Sequence, residues 1–137
     1  MIHNWLAYLV TVLVMIVLGL IWYGPLFGKE WRRLLKIDPH GEEVRKKWPI
    51  SVAVQIIGAL IMVFVLDRAI SVGGTSEGIV GIAAGFHFAF WNWIGFIAPV
   101  TVGMVLWEGK PWKYWWIVAG YWLIALIVSG CILALWQ

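Results

Sequence analysis

Four long stretches of the chain contain no Asp, Glu, Lys or Arg, and short charged segments separate them. The stretches are 1–28, 48–66, 78–107 and 114–137. Each can supply the roughly 20 apolar residues with which a helix crosses a hydrocarbon core about 30 Å thick. A closed barrel would need strands of about 10 residues that alternate apolar and polar positions. The apolar runs here lack that alternation, so the pattern predicts helices.

The fold class that follows is all-α, an integral membrane bundle of four transmembrane helices that forms one domain over 1–137. The predicted spans are about 4–24, 50–70, 80–106 and 114–135. The first span lacks a basic leading region, and its apolar run is longer than that of a signal peptide. We therefore expect it to be a helix of the mature protein.

Positive charge is distributed unevenly among the three connections between the spans. The second connection carries only Arg68, and the third carries Lys110 and Lys113. The basic inner loop, about 28–48, carries Lys29, Arg32, Arg33, Lys36, Arg45, Lys46 and Lys47. Because cytoplasmic loops carry the excess of Lys and Arg, we expect the first and third connections in the cytoplasm and both termini outside. Basic charge placed directly between apolar spans indicates lipid headgroups rather than nucleic acid.

The connections contain patterns of their own. In 28–36 the apolar residues have amphipathic spacing among charged ones, which predicts a short helix in the headgroup layer. Asp38 and Pro39 then have the order of an N-cap and a first helical residue, which indicates a second short helix that ends at Pro49. The outer segment 71–78 is rich in Gly, Ser and Thr, so we expect a short mobile loop there.

Composition supports a membrane protein and excludes a soluble globular one. Hydrophobic residues make up 63% of the chain and charged residues 12%, against roughly 25% charged in an average soluble domain. The single cysteine, Cys131, has no partner for an intrachain disulfide. Many tryptophans lie near predicted span ends, where indole rings anchor at the membrane interface. They are Trp5, Trp22, Trp31, Trp48, Trp107, Trp112, Trp115 and Trp136.

Two junction motifs resemble those of a known family. The first reads Trp22-Tyr23-Gly24-Pro25-Leu26-Phe27-Gly28-Lys29-Glu30-Trp31, and the second reads Leu106-Trp107-Glu108-Gly109-Lys110-Pro111-Trp112. Together with Asn4-Trp5 and Gly95-Phe96, they are similar to the uncharacterised prokaryotic membrane proteins grouped as domain of unknown function 1761. The resemblance covers nearly the whole chain. It implies a small four-helix protein of a prokaryotic cytoplasmic membrane and no established activity, and Gly24 stands where the family usually has serine.

Small residues follow helical spacing along one face of the third span, where they allow another backbone to approach closely. They are Gly81, Gly85, Ala89, Gly95 and Gly103. Asn92 lies on the same stripe, and we expect it to hydrogen-bond across a helix interface. Pro99 predicts a kink or local break, which is either structural or the broken-helix element that lines many substrate sites.

Further polar residues are candidates for a path or a ligand site. A histidine within a span is a functional-site candidate, and His87 fits either that role or a satisfied structural one. His3 lies at the same predicted depth, so the two histidines are a candidate haem-binding pair. Gln55 in the second span is expected to meet Asn92. The sequence contains no HExxH, CxxC or CxxCH motif, so no metal site is predicted.

Charged residues at the span ends leave alternatives open. Asp67 and Arg68 are boundary residues if the second span ends beside them, and they need partners if the helix continues. Glu108 stands in a tight turn of a basic junction, where we expect an ion pair rather than catalysis. Its candidate partners are Lys29, Arg32 and Lys113.

Three function classes remain open. The favoured class is a homo-oligomeric channel or transporter for a small solute or ion, with Asn92, Pro99, Gln55 and His87 near its path. The second is a structural or accessory membrane subunit. The third is a haem-, quinone- or lipid-binding protein. No catalytic motif is present, so an enzyme is not predicted. The expected partners are the bilayer and further copies of the chain, and the ligand and any cofactor are unknown.

Overall fold

The computed structural model describes residues 4–36, 38 and 41–137. Within these ranges the chain forms helices and no strand. In chain order the elements are α1 (Trp5–Ile21), the π-helical segment π1 (Trp22–Leu26), α2 (Gly28–Leu35), α3 (Glu42–Glu77), α4 (Gly81–Asn92), the π-helical segment π2 (Trp93–Ile97), α5 (Ala98–Leu106) and α6 (Trp112–Leu135).

Four helical stretches are long and apolar enough to cross a membrane. They are Trp5–Leu26, Glu42–Glu77, Gly81–Leu106 and Trp112–Leu135. The all-α class and the four candidate spans are thus confirmed. The first, third and fourth stretches lie close to the predicted spans, whereas the second is much longer than predicted.

The length of α3, 36 residues, corrects two predictions. The predicted second short helix does not end at Pro49, because α3 begins at Glu42, runs through this proline and loses only one amide donor there. Pro39, its predicted first helical residue, lies outside the described residues. The predicted loop 71–78 is also wrong, because its hydroxyls bond carbonyls of the preceding helical turn. Ser71 donates to the Asp67 carbonyl at 2.8 Å. The helix ends at Glu77 and is capped by Gly78, whose φ of +71° favours glycine.

Both π-helical segments occur beside a proline. Pro25 lies inside π1, and Pro99 follows π2 by two residues. A prolyl nitrogen cannot donate to the carbonyl four residues earlier, and the hydrogen-bond ladder widens around that gap. In π1 the amide of Phe27 accordingly bonds the Trp22 carbonyl at 2.9 Å. The break predicted from Pro99 is present, but it lies one turn before the proline, at Trp93–Ile97.

α6 is the central helix of the bundle, and it has the largest buried share of the four candidate spans. The indole of Trp22 in π1 donates to the Ile117 carbonyl at 2.9 Å, and the indole of Trp93 in π2 donates to the Ala119 carbonyl at 2.8 Å. Two residues correspond to about 200° around a helix. The two π-helical segments therefore hold α6 from different sides.

α4 and α6 make the closest backbone approach, and they run antiparallel. A Cβ placed on Gly85 would lie 2.3 Å from the carbonyl oxygen of Gly130, and one placed on Gly130 would lie 2.4 Å from the carbonyl oxygen of Gly85. Ala89 is completely buried next to this crossing. Small residues at such a crossing allow dense packing where no water drives association.

Candidate functional site

A cavity lies near the end of the bundle that carries residues 22–48 and 106–113, which we call the basic end. This aromatic cavity has a volume of about 530 Å³ and is bounded by α1, π1, α2, α3 and α6. Five of its lining side chains are aromatic: Tyr23, Trp31, Trp48, Tyr121 and Trp122. Volumes of about 300–1,000 Å³ with mostly apolar walls are typical of small-molecule sites.

The first junction motif builds one wall of the aromatic cavity. The rings of Tyr23 and Trp31 lie 5.0 Å apart between centroids, and Tyr23 lies 5.3 Å from Tyr121 of α6. The Tyr121 hydroxyl donates to the Met15 carbonyl at 2.9 Å. α2 therefore folds back beside π1, and its Trp31 forms part of the cavity wall.

Three polar side chains line the aromatic cavity without an internal partner. Ser51 and Gln55 are one turn apart on α3, and Tyr23 faces them from π1. Within the described residues, none of their side chains takes part in a hydrogen bond. Polar groups in an apolar setting are costly unless they are bonded, so these three are available to a ligand or to water.

Glu30 connects α2 to α6 at the basic end. Its carboxylate contacts the guanidinium of Arg33 and accepts from the Lys113 ammonium at 3.1 Å. Hydrogen bonds from Arg33 and then from Lys113 lower the pKa of Glu30, and the same contact raises the pKa of Arg33. Glu108, which we expected to make such an ion pair, makes none within the described residues. The expected connection between the junctions exists through a different carboxylate.

We predict that Glu30→Gln loosens α2 from α6 at neutral pH, because the ion pair with Lys113 is lost. A folded-state pKa that is lowered means that the contact is present above the ordinary Glu pKa of about 4.3 and is lost as the pH falls through the folded value. A nitroxide attached at Lys29→Cys in a Cys131→Ser background should therefore become more mobile in Glu30→Gln at neutral pH, and in the parent as the pH falls through the lowered pKa of Glu30. Glu108→Gln is the matched control, and equal mobility in both variants would contradict the prediction.

The structure separates the residues that we assigned to a polar path. The amide of Asn92 donates to the Phe88 carbonyl of its own helix at 2.7 Å, so the expected bond across an interface is not formed. Asn92 lines a second, apolar cavity of about 330 Å³ between α3, π2 and α6. Gln55 lines the aromatic cavity instead and does not meet Asn92, and Pro99 is exposed.

Only one of the two candidate histidines, His87, lies within the described residues. His87 Nε2 lies 3.3 Å from the Glu77 carboxylate at the end of α3, and its ring lies edge-on to Trp91. His3 lies outside the described residues. Within the described part of the chain, no three His, Cys, Asp or Glu side chains cluster closely enough for a metal ion.

Only part of the predicted small-residue stripe makes helix contacts. Gly85 and Ala89 lie at the α4–α6 crossing. An added Cβ on Gly81 or Gly95 would meet no atom within 4 Å, and one on Gly103 would meet only Trp107 of its own segment. The small residues do not all face the same neighbour, because π2 interrupts the helical register between Ala89 and Gly103.

The second junction motif is more exposed than the first. Trp107 is 87% exposed, and the Lys110 ammonium lies 5.7 Å from the centre of the Tyr114 ring. Trp112 packs edge-on against Trp115, whose indole donates to the Thr101 hydroxyl at 3.0 Å. Trp22 and Trp115, which we interpreted as interface anchors, thus form hydrogen bonds inside the bundle.

A polar cluster at the opposite end resolves the alternatives for Asp67. Because α3 continues past it, its carboxylate needs partners, and it accepts from the Tyr8 hydroxyl at 2.6 Å and from the Gln137 amide at 3.1 Å. The same amide donates to the Ser71 hydroxyl at 2.9 Å. The cluster joins α1, α3 and the end of the chain.

These features define a small all-helical protein with four helices suited to a membrane and one aromatic cavity at its basic end. The model of the family described as "Protein of unknown function (DUF1761)" matches residues 6–134, so the chain belongs to this family. The match confirms the resemblance of the two junction motifs. No curated protein and no solved structure matches the chain.

Proposed function

We propose that the protein binds an amphiphilic, lipid-like molecule in its aromatic cavity. One observation carries this proposal: a cavity of about 530 Å³ combines five aromatic side chains with the polar groups of Tyr23, Ser51 and Gln55. The aromatic walls suit an apolar body. The three polar groups, which have no hydrogen-bond partner among the described residues, suit an oxygen-rich head that fixes its orientation.

The proposal extends to the position of the protein in a membrane. The four long helices cross a prokaryotic cytoplasmic membrane with the basic end in the cytoplasm and both termini outside, because lysine and arginine concentrate at that end. The aromatic cavity then lies in the inner leaflet. Trp48 at its rim is 63% exposed, at the level where indoles meet headgroups. The function is binding without catalysis.

The homo-oligomeric channel or transporter stays a prediction, as does the accessory subunit. Transport would need a continuous path, and Gln55, Asn92 and His87 lie in three different surroundings. Ligand binding needs only one site within one chain, which is why the aromatic cavity favours it. The bilayer remains the proposed environment, and nucleic acid is not a proposed partner.

The test is native mass spectrometry of the protein released from lipid nanodiscs. We expect one amphiphile to remain bound to each chain after the surrounding lipid is stripped. Gln55→Trp should fill the cavity and weaken binding about tenfold, which corresponds to about 1.4 kcal/mol of binding free energy, and the retained fraction should fall as a result.

Ile57→Trp is the matched control, since Ile57 lies two residues away on α3, is exposed and does not line the cavity. It adds the same indole on the lipid-facing side and should retain the ligand. Retention by both variants, or by neither, would contradict the assignment of the ligand to this cavity.

A further inference from the structure

We infer that the molecule held in the aromatic cavity is an anionic phospholipid, whose phosphate is bound by Arg45 at the cavity mouth. The inference rests on the proposed function and names its ligand class. It is carried by the register of α3, by the distribution of ion pairs at the basic end and by the side on which the cavity opens.

The register of α3 places Arg45 on the cavity face. The α3 residues that line the cavity are spaced three and four apart, which places them on one face of the helix. They are Trp48, Ser51, Val52, Gln55, Ile56 and Ala59. Arg45 precedes Trp48 by three residues and continues this stripe toward the helix start. At 100° per residue, it lies within about 50° of the centre of the lining stripe.

The other charged residues in the first turns of α3 lie off that face. By the same register, Lys46 is about 150° from the centre of the lining stripe, on the opposite side of the helix. Glu42 and Glu43 also lie more than about 100° away. An anion at the cavity mouth would therefore lie beside Arg45 and away from the carboxylates of Glu42 and Glu43.

Arg45 is not engaged in an ion pair within the described residues and is therefore available to bind an anion. Glu30 forms ion pairs with Arg33 and Lys113. By contrast, Arg45 is exposed and forms no ion pair with any described residue. The basic end as a whole carries nine basic side chains against five acidic ones. This charge balance complements an anion, and a guanidinium binds phosphate oxygens through two parallel hydrogen bonds.

The walls of the cavity favour a lipid over a soluble phosphate compound. Leu20 and Trp48 line the cavity and are strongly exposed, and Val52 and Ile56 are partly so. In a bilayer these apolar side chains face acyl chains, so the cavity opens sideways between α1 and α3. A phospholipid can enter along this opening with its acyl chain on the rings and its phosphate beside Arg45.

The test uses full-length protein in nanodiscs that contain equal amounts of phosphatidylglycerol and phosphatidylcholine with identical acyl chains. Native mass spectrometry then measures which lipid stays bound. We expect the protein to retain phosphatidylglycerol preferentially. Arg45→Gln should lower the ratio of retained phosphatidylglycerol to phosphatidylcholine about fivefold, the effect of one basic side chain near an anionic headgroup.

Lys46→Gln is the matched control, because it removes the same charge from the next residue on the opposite helix face and should leave the ratio unchanged. Equal ratios in the two variants would overturn the inference, since the preference would then come from the net charge of the basic end. A retained lipid without headgroup preference would also overturn it while leaving the proposed function intact. Absence of any retained amphiphile would refute the proposed function itself.

Discussion

Gly85→Ala should destabilise the protein by about 3 kcal/mol, the upper part of the range for overpacked sites. The added methyl group would lie 2.3 Å from the carbonyl oxygen of Gly130 and 2.8 Å from the amide nitrogen of Cys131. Both obstructing atoms belong to the backbone of α6, so no side-chain rotation can relieve the contact. α4 and α6 must move apart, and Ala89 beside the crossing then loses its packing.

The measurement is equilibrium unfolding in mixed micelles of increasing sodium dodecyl sulfate, followed by far-ultraviolet circular dichroism. Gly58→Ala on α3 is the control, because a Cβ there meets no atom within 4 Å. It should gain up to about 1 kcal/mol from helix propensity. Equal stability of the two variants would mean that the glycine crossing does not fix the distance between α4 and α6.

The pattern of charged residues and apolar runs located the spans because each span can be identified from its own residues, without knowledge of its neighbours. A helix in lipid must satisfy its own backbone, so twenty apolar residues in a row suffice to identify it. The same constraint explains the error at α3. Gly, Ser and Thr near its end resemble a loop in composition, but the helix continues and the hydroxyl of Thr75 is bonded within it, to the Ser71 carbonyl at 2.7 Å.

The candidate site was only partly predictable. The junction motif identified Tyr23 and Trp31, and an isolated polar residue in a span identified Gln55. The opposite wall, with Tyr121 and Trp122, gave no signal because α6 is apolar around its whole circumference. Periodicity shows which face turns inward only when the other face is polar, and a lipid-facing helix lacks that contrast.

The hydrogen bonds that hold α6 were missed for a related reason. A tryptophan near a span end fits an interface anchor and an internal donor equally well, and sequence alone does not separate them. One local signal was available, since both π-helical segments begin with Trp-x-Gly, at Trp22 and at Trp93. The nearby prolines widen the helix there, and each indole reaches a carbonyl of α6.

Trp93→Ala should therefore be the other strongly destabilising change, with a loss of about 3–5 kcal/mol, as is typical of large-to-small substitutions in a core. Trp93 is 9% exposed, so the truncation leaves a cavity between π2 and α6. It also removes the bond to the Ala119 carbonyl. The same unfolding titration measures the effect.

Trp107→Ala provides the comparison, since Trp107 is 87% exposed and its loss should change stability by no more than about 0.5 kcal/mol. Trp93→Phe separates the two contributions of the buried indole, because it keeps most of the ring volume and loses the donor, at a cost of about 1 kcal/mol. If Trp93→Phe were as damaging as Trp93→Ala, the hydrogen bond rather than the packing would hold α6 against π2. If Trp93→Ala matched Trp107→Ala, π2 would not be a structural contact of α6 at all.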